Sequence, residues 1–343
     1  MSNSQLKIQK RNAQLHSAVS YPDLRSQRVI CDSPFDYCSL WLKRKKQQDA
    51  LFYWEQAKHF YAASKLLPDT SAPLTSYYCF LNAVKALLVA RGHEFTDQHG
   101  VTGWFRGVTT SLDNEKVLIK GGGILPAFVH CLGEKIPNKK PLTLKQILWH
   151  MPFLHRAYCL SYKATELFIP LQNPRFLRKD GSKEAWFEAD IEQRYINSHT
   201  ANLTRPGFAL NRFGGSDVVR RKRKFKWSGK NIESSIHEFT KYHRSIRTRI
   251  VPIYTMENRW YLKKSVVGHD EIINSQLILM FAVMHRLSEL SRYDPIKLQK
   301  HFNVSHNWLL SEFIKLAPEQ FIYGIASELT GMEFVKPTPT SNS

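Results

Sequence analysis

The run Arg220-Arg221-Lys222-Arg223-Lys224-Phe225-Lys226-Trp227 is the sharpest chemical feature of the chain. Guanidinium groups grip phosphates, and aromatic rings stack on unpaired bases. Read as one extended strand, the run sets Arg221, Arg223, Phe225 and Trp227 on a common face. Arg249, Arg259 and Trp260 extend that surface across a hairpin with strands over 249–254 and 259–262. These residue types suit a nucleic-acid surface, one that contacts phosphates without reading sequence. The competing use of the same residues is a basic edge strand that discourages aggregation.

A second set lies on two helices. Asn82 and Lys85 are the polar residues of an otherwise apolar helix over 73–91 and share one face. They form either a solvent strip or, with Arg91 and His99, the wall of a polar cleft. His285 and Arg292, spaced to share a face of a later helix, are the candidate catalytic additions to that cleft. Arg292 has a structural alternative, pairing with Asp294 or Glu289 at its helix end. His93, Asp97 and His99, or His301 and His306, do not make a recognised metal set. The phosphate-loop, dinucleotide and nucleophile-elbow patterns are absent, so Gly121-Gly122-Gly123 reads as a turn. Neither a metal nor a cofactor is expected.

The elements that must position these groups follow from periodicity. Ala50, Tyr53, Trp54, Ala57, Phe60, Tyr61 and Ser64 make one helical stripe. Pro68 ends that helix, and the apolar helix over 73–91 follows. Half of the sixteen glycines fall within 91–141, which predicts loops and short strands. Thr143 with Gln146 forms a capping box. The period then changes: 167–171 and 185–191 read as strands, and 234–247 as a helix. Asp270 is expected to cap a helix over 271–292. Pro295, Ser305 and Pro318 should open the three that follow, the last ending near Gly331.

Charge is unevenly spread. The net charge is +20, yet residues 205–264 alone carry sixteen Lys and Arg against four Asp and Glu. Residues 265–343 carry six against eight. Such concentration points to a polyanionic partner, nucleic acid first and an acidic protein surface second. The five cysteines have no C-x-x-C spacing and read as reduced thiols of a cytoplasmic protein. No apolar run approaches the roughly 20 residues of a membrane span, and 1–14 lacks the apolar core of a secretory signal.

A resemblance joins the two helical parts. Pro73-Leu74-Thr75-Ser76-Tyr77-Tyr78, Leu81-Asn82-Ala83-Val84-Lys85-Ala86-Leu87-Leu88, Arg91-Gly92 and His99-Gly100 resemble the YaaC-like protein family. So does Leu287-Ser288-Glu289-Leu290-Ser291-Arg292-Tyr293-Asp294-Pro295. That resemblance implies a fold and no catalytic residues. The helix pair also resembles HEPN-type helical domains, many of them metal-independent ribonucleases or subunits of bacterial defence systems. Their pattern is Arg, four to six residues, then His: the His moves a proton at the ribose 2′-OH and the Arg stabilises phosphorane charge. Arg194 with His199 fits the spacing, and Arg11 with His16 repeats it inside the polar arm, where no site is expected.

The expected architecture is mainly α (α+β): a HEPN-like helical domain interrupted by a basic, strand-rich insertion. Residues 1–46 would be a basic arm, 47–162 and 269–335 the helical domain, 163–268 the insertion and 336–343 a disordered tail. The expected function is binding of RNA or single-stranded DNA, in bacterial antiviral defence. A metal-independent HEPN-type ribonuclease and a non-catalytic subunit docking an acidic protein are the alternatives. A protein partner or homo-oligomer stays open, and no membrane association is expected.

Overall fold

A computed structural model describes residues 3–136, 140–195, 207–213, 216–228, 231–255, 259–266, 272–273 and 275–337. The architecture is α+β, in two compact units. One unit comprises Ile30–Glu166 and Ile272–Thr330; the other comprises Met1–Val29, Leu167–Glu271 and Gly331–Ser343. Within neither is there, among the described residues, a helix long and apolar enough to cross a membrane.

The helical unit is built on Ala72–Ala90. Helices Gln48–Ser64, Gln276–Tyr293 and Asn307–Thr330 all pack against it. That explains a helix apolar almost all round: Tyr77, Phe80, Val84, Leu87 and Leu88 are buried on different sides. Phe80 stacks on Phe321 at 3.8 Å. The helix ends in a Schellman motif. Gly92 adopts φ +67°, its N–H donates to the Val89 carbonyl, and His93 N–H donates to Leu88. Residues of the expected arm join this unit: helix Pro34–Arg44, capped by Ser33, receives the Trp54 indole N–H on the Phe35 carbonyl at 3.0 Å.

The glycine-rich stretch makes strands Val101–Phe105 and Glu115–Ile119, joined by Leu142–Thr143 in a three-stranded sheet. The Thr143–Gln146 capping box is present. Helix Ile124–Cys131 was not read from the sequence. Its start shows why the glycine run is no phosphate loop: the Ile124 and Leu125 amides already donate to the Gln98 and His99 carbonyls. A Cβ on Gly123 would lie 2.7 Å from the Gly100 backbone, so close chain approach demands glycine there.

Two helical expectations need correction. The helix expected over 271–292 is Gln276–Tyr293, preceded by Ser275, while its expected cap Asp270 lies outside the described residues. Pro318 opens no new helix; it lies inside Asn307–Thr330. It forfeits the bond to the Ile314 carbonyl, but Ala317, Phe321 and Ile322 are buried around it, and that packing carries the helix across the gap.

The strand unit holds an eight-stranded antiparallel sheet. Its order is Phe208–Phe213, Ser216–Arg221, Glu184–Asp190, Phe168–Lys179, Arg259–Lys263, Ile250–Ile253. Asn3–Gln5 pairs with Phe168–Lys179, and Phe225–Lys226 pairs with Glu184–Asp190. Helix Ile232–Arg247, capped by Asn231, sends Phe239, Tyr242 and Ile246 into the sheet's core. The long strand Phe168–Lys179 shifts register between Gln172 and Arg175, where Asn173 takes φ +46°. The first residues of the chain are not a free arm. Leu6, Ile8, Ala13 and Leu15 are buried in this core. Of the expected tail, 338–343 lie outside the described residues.

Candidate functional site

The basic run does not form one continuous strand. Arg220 and Arg221 close Ser216–Arg221, the chain leaves the sheet at Lys222, and Phe225–Lys226 rejoins it opposite Ala185 and Glu184. Phe225 and Trp227 still share one face, but it is the core face, as it is for Val219 before the break: they are 7% and 4% exposed, with Lys226 outward between them. The Phe225 ring lies 5.5 Å from Phe239 and 4.5 Å from Tyr242. Trp260 is 5% exposed beneath the Arg247 guanidinium, 4.8 Å away. The expectation that Phe225, Trp227 and Trp260 offer stacking faces to bases is therefore corrected: these rings are core.

The cations divide by the same geometry. Arg220 stacks on Trp186 at 4.0 Å, and the half-buried Arg221 lies over Phe208 at 5.0 Å. Burial, with Arg223 and Arg249 nearby, lowers the Arg221 pKa. Lys222, Arg223, Lys224 and Lys226 face solvent. Lys224 pairs with Glu184 at 2.7 Å, an exposed contact of little energetic weight. Lys222, Arg223 and Lys226 make no ion pair among the described residues. Arg249 is half-buried and Arg259 exposed. Elsewhere on the sheet, Arg175 is already matched: it bonds Glu188 at 2.7 Å and Asp190 at 2.7 Å.

This placement makes a stability prediction. Phe225→Ala empties a core position and should cost about 3–5 kcal/mol, read as a lower denaturant midpoint. Phe225→Leu keeps most of the volume and should fold.

The helical unit carries a row of neighbouring polar groups, most of them buried. His99 is exposed, and its Nδ1 lies 2.6 Å from the Tyr77 hydroxyl. The His285 ring packs edge-on against Tyr77, with centroids 5.0 Å apart. The next residue, Arg286, donates to Glu289 at 3.1 Å and to Glu115 at 2.8 Å. Glu115 Oε1 lies 3.1 Å from His301, and His301 lies 3.0 Å from His306. Gly103 leaves the room this needs, since a Cβ there would meet the Arg286 side chain at 2.3 Å. Burial works to raise the Glu115 carboxyl, but His301 and Arg286 outweigh it and hold it below its ordinary value. Burial raises Glu289. Burial pushes His285 down to about 3 and His306 down to about 4.

A group held neutral in the fold but protonated when unfolded makes stability fall with pH. Here the unfolded imidazoles charge below about pH 6.5, and the folded ones do so only near their depressed values. Stability of the chain should therefore decline as pH drops from about 6.5. His285→Gln should flatten that decline, by up to ~1.4 kcal/mol per pH unit in denaturant titrations. An unchanged slope would mean that His285 takes up its proton in the folded chain.

The expected cleft forms only in part. Lys85 pairs with Asp97 at 3.1 Å, and its charge helps burial hold His99 below its ordinary pKa. Asn82 instead donates to its own helix at the Tyr78 carbonyl, and Arg91 donates to the Glu328 carbonyl at 2.6 Å. His285 and Arg292 stand two turns apart, about 10.5 Å along the helix. His285 is buried, whereas Arg292 is exposed over the Tyr293 ring at 5.0 Å. The pairing suggested for Arg292 is also corrected: Asp294 pairs with Lys297, and Glu289 with Arg286. Arg194, exposed on the turn Gln193–Tyr195, pairs with Glu192 at 2.8 Å; His199 lies outside the described residues.

No curated protein and no solved structure matches the chain. The family model of the YaaC-like proteins matches residues 23–329, which run through both units, and the chain belongs to that family.

Proposed function

We propose that the protein binds nucleic acid through its phosphate backbone, using the exposed connection that carries Lys222, Arg223, Lys224 and Lys226. One observation supports this above the others. Within five consecutive positions four cations face solvent, and three of them lack an ion pair among the described residues. Cations left without internal partners are what a polyanion recruits by counterion release. Because Phe225, Trp227 and Trp260 are core, base stacking does not contribute. The preference for single strands expected from the sequence gives way to backbone binding, in which a duplex with its denser charge competes at least equally.

Among the described residues, which do not include His199, the ribonuclease reading gains no assembled Arg–His pair from its candidates, and the HEPN-type fold rests on resemblance alone. A role in bacterial antiviral defence is carried by that same resemblance. Docking of an acidic protein would use the same four cations. The discriminating test is a gel-shift series with single- and double-stranded RNA and DNA, with chelator present, followed by inspection for strand breaks. Shifted, intact strands support binding. Cleavage returns the catalytic reading and directs mutation to His199 and His285. Absence of any shift at low salt removes nucleic acid and leaves the acidic protein.

A further inference from the structure

The strand unit holds a second basic feature, independent of the Lys222–Lys226 surface. The first residues of the chain form a small hairpin, Lys7–Ile8 with Arg11–Asn12. Its turn is unusual: Gln9 and Lys10 take φ +47° and +68°, conformations that side-chain-bearing residues rarely hold. Ile8 and the following Ala13 and Leu15 anchor the hairpin in the core. Lys7, Lys10 and Arg11 remain exposed.

Facing this hairpin is the stretch 23–28. It is tied at both ends to the C-terminal segment: Asp23 N–H donates to Gly331, and Val29 N–H donates to Glu333. Between hairpin and stretch lies a cavity of about 760 Å³, lined in part by Lys7, Lys10, Arg11, Arg25 and Arg28. Its acids are Asp23 and Glu333. Both are engaged. Asp23 accepts the Arg25 N–H at 3.1 Å, and Glu333 accepts from the Ser17 amide and hydroxyl. Of the five cations only Arg25 has an ion pair, with Glu233 at 2.5 Å. Lys7, Lys10, Arg11 and Arg28 make none among the described residues.

We infer that this cavity binds a small molecule carrying two or more phosphates, such as a nucleoside triphosphate. Its volume falls in the range of small-molecule sites, roughly 300–1,000 Å³. Two lysines and three arginines against two engaged carboxylates leave an excess that a single carboxylate ligand would not neutralise. An oligophosphate does so, and its oxygens suit both lysine and arginine donors. Ile8, Leu15 and Leu24 supply an apolar wall for an attached organic group.

The test is calorimetric titration of the full chain at physiological salt with inorganic tripolyphosphate, ATP and adenosine. Tripolyphosphate and ATP should bind in the micromolar range and raise the melting temperature; adenosine should not bind. The joint replacement Lys10→Ala and Arg11→Ala touches two exposed side chains and should weaken ATP at least about tenfold. Lys222→Ala with Lys224→Ala should leave ATP binding unchanged. The inference is overturned if tripolyphosphate and ATP show no binding up to about 1 mM. It is equally overturned if the two variants weaken binding alike, since that would mean general charge rather than this cavity. An oligonucleotide bearing a 5′-triphosphate, tried in the Lys222 and Lys224 variant, separates a nucleic-acid end from a free nucleotide. Tighter binding of the oligonucleotide than of ATP would assign the cavity to strand ends.

Discussion

Neutralising Lys222, Arg223, Lys224 and Lys226 together should lower duplex affinity by about two to three orders of magnitude at ~0.1 M salt. Each lysine or arginine that meets a phosphate releases a condensed counterion, and four such contacts account for a drop of this size. Lys224 contributes least, because it must first leave Glu184. The variant should fold, since all four side chains face solvent and none fills the core. Phe225→Leu is the matched comparison: affinity should stay within about twofold, because the ring never reaches a base. Filter binding on both variants checks the pair. If Phe225→Leu instead lost affinity while remaining folded, the ring would have to turn outward in the complex.

The second large effect belongs to the helical unit. Glu115→Ala should destabilise the chain by about 3–5 kcal/mol in a denaturant titration. The carboxylate is fully buried and holds both Arg286 and His301. Removing it leaves the Arg286 guanidinium, 7% exposed, with Glu289 as its remaining partner. Much of the cost is that stranded charge rather than the lost attraction. Adding Arg286→Met to Glu115→Ala should therefore recover part of the loss, so the double variant is less unstable than the sum of the singles. A single-variant cost under about 1 kcal/mol would mean that water reaches Arg286 and replaces the carboxylate.

How much of this was readable beforehand varies with the physics of each part. The central helix announced itself because three neighbours bury it, which removes polar residues from nearly every side. Gly92 and the Thr143–Gln146 box marked their helix ends because capping is local chemistry. The N-terminal hairpin was missed for the opposite reason. Its strands are two residues long, and Lys7, Lys10 and Arg11 interrupt the apolar positions, so the stretch reads as a polar arm. The shared face of Phe225 and Trp227 was legible but its direction was not, because nothing in a run of cations signals that this face turns to the core or that the chain leaves the sheet at Lys222. Glu115 was invisible as a site residue. Its partners Arg286 and His301 lie 171 and 186 positions away, a pairing that no local spacing encodes.

The most direct measurement is the slope of log affinity against log salt for the full chain on a short DNA duplex, with and without the four substitutions at Lys222, Arg223, Lys224 and Lys226. Backbone binding through this connection predicts that the substitutions make the slope shallower by about 3.6, or 0.9 per phosphate contact removed. A slope that stays the same would place the phosphate contacts elsewhere on the protein and contradict the account.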